Sequence, residues 1–311
     1  MISRSIGALL ACILAAACAT HLPHPEAFTF AVLGDTPYND AEEREFLAMI
    51  GRINGEPLAF VLHIGDFKGG EDCSNALFAR RKAQFDSFAH PLLYTPGDNE
   101  WTDCRRRYMG SMDPLERLAR LRQVFFADRF SLGGKRIETL AQDQCLSPAV
   151  SGCGCAAYPE NRAWEHGGVH FVTLNVPGSD NNIGFDAASD AEARCRDAAN
   201  AQWLERAVRA AEDPAARALV IALQADPWQS RKPVYRALLA QVEASAARVR
   251  KPVLFIHGDS HTYRVDTPFT APITRLETYG SPFVGWVKVT VDPARPDLFH
   301  FEPMLQRFVM P

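Results

Sequence analysis

The chain has 311 residues, 47% of them hydrophobic and 23% charged, which is enough apolar material for one large core. Its net charge is −4 and no Lys/Arg stripe runs through it. That excludes the electrostatic footprint of a nucleic-acid binder, and no such partner is expected.

Taken in chain order, the first residues read as an export leader. Arg4 supplies a short basic start, and Ile6 to Ala17 is an apolar run too short to span a bilayer. Ala17-Cys18-Ala19 fits a signal-peptidase site and Ala15-Ala16-Ala17-Cys18 a loose lipoprotein box, so residues 1–18 end in cleavage or in lipidation of Cys18. The protein is therefore expected in the periplasm or tethered to the cell envelope, touching the membrane only through that anchor. Residues 19–27 read as a linker, and 28–311 as one domain.

Apolar runs then alternate with amphipathic stretches. Phe28–Leu33, Leu58–Ile64, Pro91–Thr95, Val169–Asn175, Ala218–Leu223 and Pro252–His257 predict buried strands. Helical patterns fall near 40–53, 74–88, 114–127, 187–212 and 232–249. Such alternation predicts an α/β protein with a largely parallel central sheet. Residues 129–163, rich in Gly, Cys and Pro, read as an excursion from the core. Phe283–Val291 and Leu298–Glu302 predict an antiparallel pair at the sheet edge.

Four Gly-Asp dipeptides occur, and each ends an apolar run: Gly34-Asp35, Gly65-Asp66, Gly97-Asp98 and Gly258-Asp259. The carboxyl ends of parallel strands line the ligand crevice of an open sheet, and glycine lets backbone approach closely there. Two carboxylates about 5 Å apart repel by roughly 3 kcal/mol at an effective dielectric near 20. A divalent cation neutralises that repulsion, and aspartate oxygens suit hard cations. The competing use is helix capping. It fits poorly, because Asp40 with Glu43 makes a capping-box pattern for the first helix and Ser74 a better cap for the second.

Six cysteines follow the leader: Cys73, Cys104, Cys145, Cys153, Cys155 and Cys195. An even number in an oxidising compartment predicts disulfides. Cys153-Gly154-Cys155 is compact enough to suggest zinc, but no second close pair completes a ligand pattern. Cys73 and Cys104 lie seven and six residues beyond Asp66 and Asp98, on loops that follow adjacent strands, and are expected to pair. The other partners fall among Cys145, Cys153, Cys155 and Cys195.

These blocks resemble the calcineurin-like metallophosphoesterases, whose motifs run Asp-x-His, Gly-Asp, Gly-Asn-His-Asp/Glu, a lone His after a strand, then Gly-His-x-His. The likeness runs in the same order from residue 28 to 292. It implies an α/β sandwich of mixed, largely parallel central sheets flanked by helices. Asp35 matches the first aspartate and Asp66 the aspartate that bridges two metals. Gly97-Asp98-Asn99-Glu100 matches the third block and Gly258-Asp259-Ser260-His261 the last. Departures are several. Pro37 stands where the first block has His, Asp98 where the third has Asn, and Asn99 where the third has the His credited with protonating the leaving group. The fourth block, Leu223-Gln224-Ala225-Asp226-Pro227, has no His, and Asp259 replaces the first His of the last block.

The resemblance implies two divalent metal ions. Asp35, Asp66 and His261 hold one; Asp66, Asp98, Asp259 and Asp226 hold the other. So oxygen-rich a set favours Mn²⁺ or Mg²⁺, with Ca²⁺, Fe or Zn²⁺ as further candidates. The activity implied is hydrolysis of a small phosphate ester, with Asp66 central and protonation of the leaving group falling to a solvent molecule, to Asn99 with water, or to nothing. Trp101, Arg105, Gln224 and Trp228 are candidate substrate contacts, Trp101 and Trp228 having core packing as the alternative. Arg105-Arg106-Arg107 is a candidate phosphate clamp or a solvated face. Asn175, Ser179 and Asn181-Asn182 belong to a loop after a strand, where turn formation competes with a site role. His63 and His257 read as core histidines with hydrogen-bond partners. Two alternatives stand beside the hydrolase: a catalytically weak metal-binding member that recognises a ligand, and a serine esterase suggested by Gly258-Asp259-Ser260. The second lacks a following Asp-x-x-His.

Overall fold

A computed structural model describes residues 26–144, 153 and 156–309. The leader, Cys18, Cys145 and Cys155 lie outside the described residues. In chain order the strands are β1 (Phe28–Leu33), β2 (Val61–His63), β3 (Leu92–Tyr94), β4 (Leu140–Gln142), β5 (Tyr158–His166) and β6 (Val169–Thr173). They continue as β7 (Ala218–Ala222), β8 (Val253–His257), β9 (Arg264–Asp266), β10 (Ile273–Glu277), β11 (Phe283–Val291) and β12 (Phe299–Phe308). The helices are α1 (Asp40–Asn54), α2 (Asn75–Asp86), α3 (Pro114–Phe125), the single turn α4 (Gly178–Asn181), α5 (Ala187–Ala211) and α6 (Arg236–Val249).

The strands build two mixed sheets, ordered β12-β11-β1-β2-β3 and β4-β5-β6-β7-β8-β10-β9. In the first sheet β1-β2-β3 run parallel out to the β3 edge, with β11 and β12 antiparallel on the other side; in the second β6-β7-β8-β10 are parallel, with antiparallel strands at both edges. Successive residues of a strand point to opposite faces, so β1 feeds two cores. Phe30 and Val32 pack with Phe171, Val220 and Ile256 of the other sheet. Ala31 and Leu33 pack with Phe46 and Met49 of α1 and Phe78 and Phe85 of α2. On the far side, Trp203 and Leu204 of α5 and Val242 of α6 cover Leu219, Ile221 and Phe255. Helices thus flank a pair of face-packed sheets, as the α/β sandwich reading expects. Among the described residues, no helix is long and apolar enough to cross a membrane.

Sequence and structure differ at definite places. Asn39, not Asp40, caps α1: its side-chain oxygen accepts from the backbone N–H groups of Ala41 and Glu42 at 3.0 Å, while its amide donates to Glu42. Ser74 does cap α2, accepting from Leu77 N–H at 3.2 Å. The 129–163 excursion contains β4 and β5, the edge of the second sheet. β5 is hidden from periodicity because its buried Glu160, Asn161 and Arg162 are polar. Each is satisfied, Glu160 by Arg122 and Asn175, Asn161 by Gln142 and Asn200, and Arg162 by Thr139. β9 and β10 escape the same reading; β10 buries Arg275 and Glu277. Cys73 pairs with Cys104, as the loop positions predict, and Cys153 pairs with Cys195.

Candidate metal centre

Asp35, Asp66 and Asp98 follow β1, β2 and β3 of one sheet, and Asp259 follows β8 of the other. The close approach explains the glycines. A Cβ on Gly97 would lie 2.0 Å from Asp66 Oδ1, and one on Gly258 2.1 Å from Asp35 Oδ2, so no side chain fits at either position. Asp35, Asp66, Asp259 and His261 adopt φ of 51°, 55°, 72° and 61°, the left-handed region that L-residues with a Cβ seldom enter. Strain of this kind concentrates at functional sites.

Ligand atoms of Asp66, Asp98 and Asp259 lie within 4.8 Å of one another. Asp35 is fully buried beside them; its Oδ1 accepts from Asp259 N–H at 3.1 Å, and its Oδ2 has no partner. His261 Nε2 lies 3.8 Å from Asp35 Oδ1. The Nδ1 of His261 is 2.6 Å from the Ser281 carbonyl oxygen, which can only accept, so the proton sits on Nδ1 and Nε2 offers a lone pair. Asp66 is held from every side: Oδ1 by Asn99 N–H at 3.0 Å, and Oδ2 by Tyr38 OH at 3.0 Å and Gln224 Nε2 at 3.1 Å. Glu100 anchors the loops, accepting from the backbone N–H groups of Asp66 and Gly97 and from Tyr94 OH. Asp98 Oδ2 accepts from Ser179 Oγ at 2.5 Å.

The electrostatics follow from burial of like charges. Burial, then Asp259, pushes the Asp35 carboxyl well above its usual range. Burial, then Asp98, does the same to Asp66 and raises Asp259 to about 8. Burial lowers His261, keeping the imidazole neutral. The buried cation nearby, Lys68, directs its ammonium to the carbonyl oxygens of Gly69 and Asn99. One unpartnered carboxylate oxygen, one imidazole nitrogen without a proton beside the Tyr38 hydroxyl, and three further carboxylates are a donor set that fits hard or borderline divalent ions.

Other residues expected at the site fall differently. Gln224 is in it, donating to Asp66 and accepting from Gly178 N–H at 2.7 Å. The Asp226 carboxylate is not with the other aspartates. Its backbone N–H donates to Asp259 Oδ2 at 3.0 Å while its side chain groups with His257 and Glu277. Trp101 is fully buried with Arg196 over its ring, so it packs the interior and cannot line a pocket. Trp228 is 37% exposed and packs at a tilt against His257 and edge-on against Phe269. Arg105 is committed to the Thr102 carbonyl, Asn182 and the Phe185 ring. Its neighbour Arg106 instead reaches Ser179 Oγ at 3.3 Å and Asp103 at 2.8 Å. Ser179, Asp180, Asn181 and Asn182 form a left-handed turn, with φ from 47° to 63°. His63 accepts from Gly65 N–H, and burial lowers it to about 3. Tyr38 was missed: its hydroxyl contacts Asp66, His261 Nε2 at 3.2 Å and Asn99 Nδ2 at 3.0 Å. The available signal was its place one residue beyond Pro37, where the resembled motif has its His.

No described protein family matches the chain, and no curated protein sequence does. Solved structures do. A dimetal phosphatase from Danio rerio superposes with a TM-score of 0.56 at 13% identity, over 90% of this chain and 96% of that one. The GAP50 anchor in the inner membrane complex of Plasmodium gives 0.51 at 10% identity, over 90% and 89%. At these identities the likeness establishes architecture: the chain has the calcineurin-like metallophosphoesterase fold.

Proposed function

We propose that this chain is a metal-dependent hydrolase of phosphate monoesters or diesters, built on a dinuclear, aspartate-rich centre. The observation that carries the reading is the convergence of Asp66, Asp98 and Asp259 within 4.8 Å, beside fully buried Asp35 and partly buried His261. Asp35, Asp66 and His261 are suited to one ion, and Asp66, Asp98 and Asp259 to the other, Mn²⁺ or Mg²⁺ being favoured by the oxygen donors. Bound there, divalent ions supply charge to clamp phosphoryl oxygens and acidify water.

The chain's own residues do the positioning. Tyr38 and Gln224 fix the Asp66 carboxylate, and Ser179 fixes Asp98. Arg106, partly exposed beside Ser179, is the guanidinium placed to meet a phosphate oxygen. Asn99 contributes an amide where a proton donor to the leaving group is expected, so esters with good leaving groups are the better substrates. The same amide favours a second reading, a metal-binding recognition protein with little turnover. Disulfides fit an oxidising compartment. We place the protein in the periplasm, free or anchored through Cys18.

Elemental analysis beside rates on aryl phosphate mono- and diesters, with Mn²⁺, Mg²⁺, Ca²⁺ and Zn²⁺ in turn, tests both readings. Asp66→Asn is expected to lose both ions together and all hydrolysis; full metal occupancy in that variant rejects the bridging role. Tight metal binding by the wild type with no turnover of any ester selects the recognition protein.

A further inference from the structure

Behind the aspartate centre lies a second polar cluster that the proposed hydrolysis does not use. Asp226, His257 and Glu277 are all buried, and each brings a ligand atom within 4.8 Å of the others. They arrive on separate elements. Asp226 follows β7, His257 ends β8, and Glu277 ends β10, paired in register with His257. Neighbours in register share a face of the sheet, so the two side chains are brought together by strand pairing alone.

The hydrogen bonding leaves lone pairs facing each other. His257 Nδ1 lies 2.9 Å from the Gly258 carbonyl oxygen, which only accepts, so the ring proton is on Nδ1. His257 Nε2 is buried without a partner. Across 4.0 Å from it lies Glu277 Oε2, which accepts no hydrogen bond either. Arg264 Nε is 2.8 Å from that oxygen but out of line, and its own N–H is unpaired. The other oxygen of Glu277 is engaged by Ser260 Oγ and Thr262 N–H. Asp226 Oδ1 accepts from Trp228 N–H. A proton cannot bridge 4.0 Å between Nε2 and Oε2. An ion bonded at ~2.1 Å to each donor can.

We propose that Asp226, His257 and Glu277 form a mononuclear site for a zinc-like divalent ion, separate from the aspartate centre. One imidazole and two carboxylates are a borderline donor set, suited to Zn²⁺ more than to Mg²⁺ or Ca²⁺. The Nδ1–H bond to Gly258 is the outer contact that fixes a ligating imidazole. Trp228 lies against the His257 ring, with Arg275 over its own ring at 4.6 Å, and closes the site from that side. The Asp226 backbone N–H on Asp259 ties this ion's position to the neighbouring centre.

Zinc alone is the probe. In an Asp66→Asn background, in which the aspartate centre is expected to be empty, one tight zinc equivalent is expected by elemental analysis and calorimetry. Adding Glu277→Gln or His257→Gln should weaken it by at least about 100-fold. No tight zinc in the Asp66→Asn protein, or unchanged affinity after the second substitution, overturns the site. If those variants fail to fold, zinc-edge anomalous diffraction from wild-type crystals decides. A peak among the three side chains supports the proposal, and its absence defeats it. An aspartate centre that proves empty leaves that peak untouched, so the two readings fail separately.

Discussion

Removing metal should make the protein's stability fall as pH rises, the reverse of ordinary acid denaturation. Asp259 in the folded chain titrates at about 8 against a usual 3.8, because burial and then Asp98 disfavour its charged form. Asp35 and Asp66 shift in the same direction. A carboxyl with a raised folded-state pKa keeps its proton in the native state after the unfolded chain has released its own. Its contribution is whole below about pH 4 and is lost as pH climbs to about 8. At ~1.4 kcal/mol per pH unit, the gap from 3.8 to about 8 costs the ion-free fold at most about 6 kcal/mol. Pair repulsion gives the same scale, roughly 3.5 kcal/mol for two carboxylates 4.8 Å apart at an effective dielectric near 20. For a chain of this size that is a fall on the order of 10 °C in Tm. The assay is thermal unfolding of chelator-stripped protein from pH 4 to 9, with and without Mn²⁺. Mn²⁺ should stabilise strongly at pH 8, where the ligands ionise, and weakly at pH 5, where protons compete. A Tm that is flat with pH in the stripped protein, or equal stabilisation by Mn²⁺ at pH 5 and pH 8, refutes the reasoning.

Two further outcomes are expected. Replacing Cys73 and Cys104 by Ser opens a loop of 31 residues and should cost roughly 3.7 kcal/mol of unfolding free energy, read from denaturant midpoints. Since that bridge joins the segments after Asp66 and Asp98, metal affinity should fall as well; a change in neither quantity argues that the loops are held by other contacts. Tyr38→Phe removes the hydroxyl shared by Asp66, His261 and Asn99, and should lower Mn²⁺ affinity about 10-fold by calorimetry. Unchanged affinity would show that Tyr38 does not orient the ligands.

Much of this was legible in the sequence because the signals were local. An apolar run ending in Gly-Asp states at once a buried strand, a sharp turn and a carboxylate at a sheet edge. Four repetitions located Asp35, Asp66, Asp98 and Asp259. What escaped depends on contacts between distant segments. Glu160, Asn161 and Arg162 disguise β5 because their partners lie on α3, α5 and other loops. Asp226 reads as a ligand from its position after a strand, yet backbone geometry turns its amide, and not its carboxylate, toward Asp259. Trp101 follows the third block in sequence but points into the core, where Arg196 from α5 covers it. Arg106 and Arg105 are indistinguishable as letters, and only the left-handed turn at Ser179 separates their roles.

The aspartates are drawn from two sheets: Asp35, Asp66 and Asp98 from one, and Asp259, with His261 after it, from the other. Neither sheet alone assembles the full ligand set. A chain with only one sheet formed would offer an ion part of the proposed ligand set, so a cation would be expected to bind late. An ion shared between the docked sheets would act as a latch across the seam. Sliding or opening the sheets would then have to eject it, which would slow escape from the native state in proportion to how tightly the ion is held.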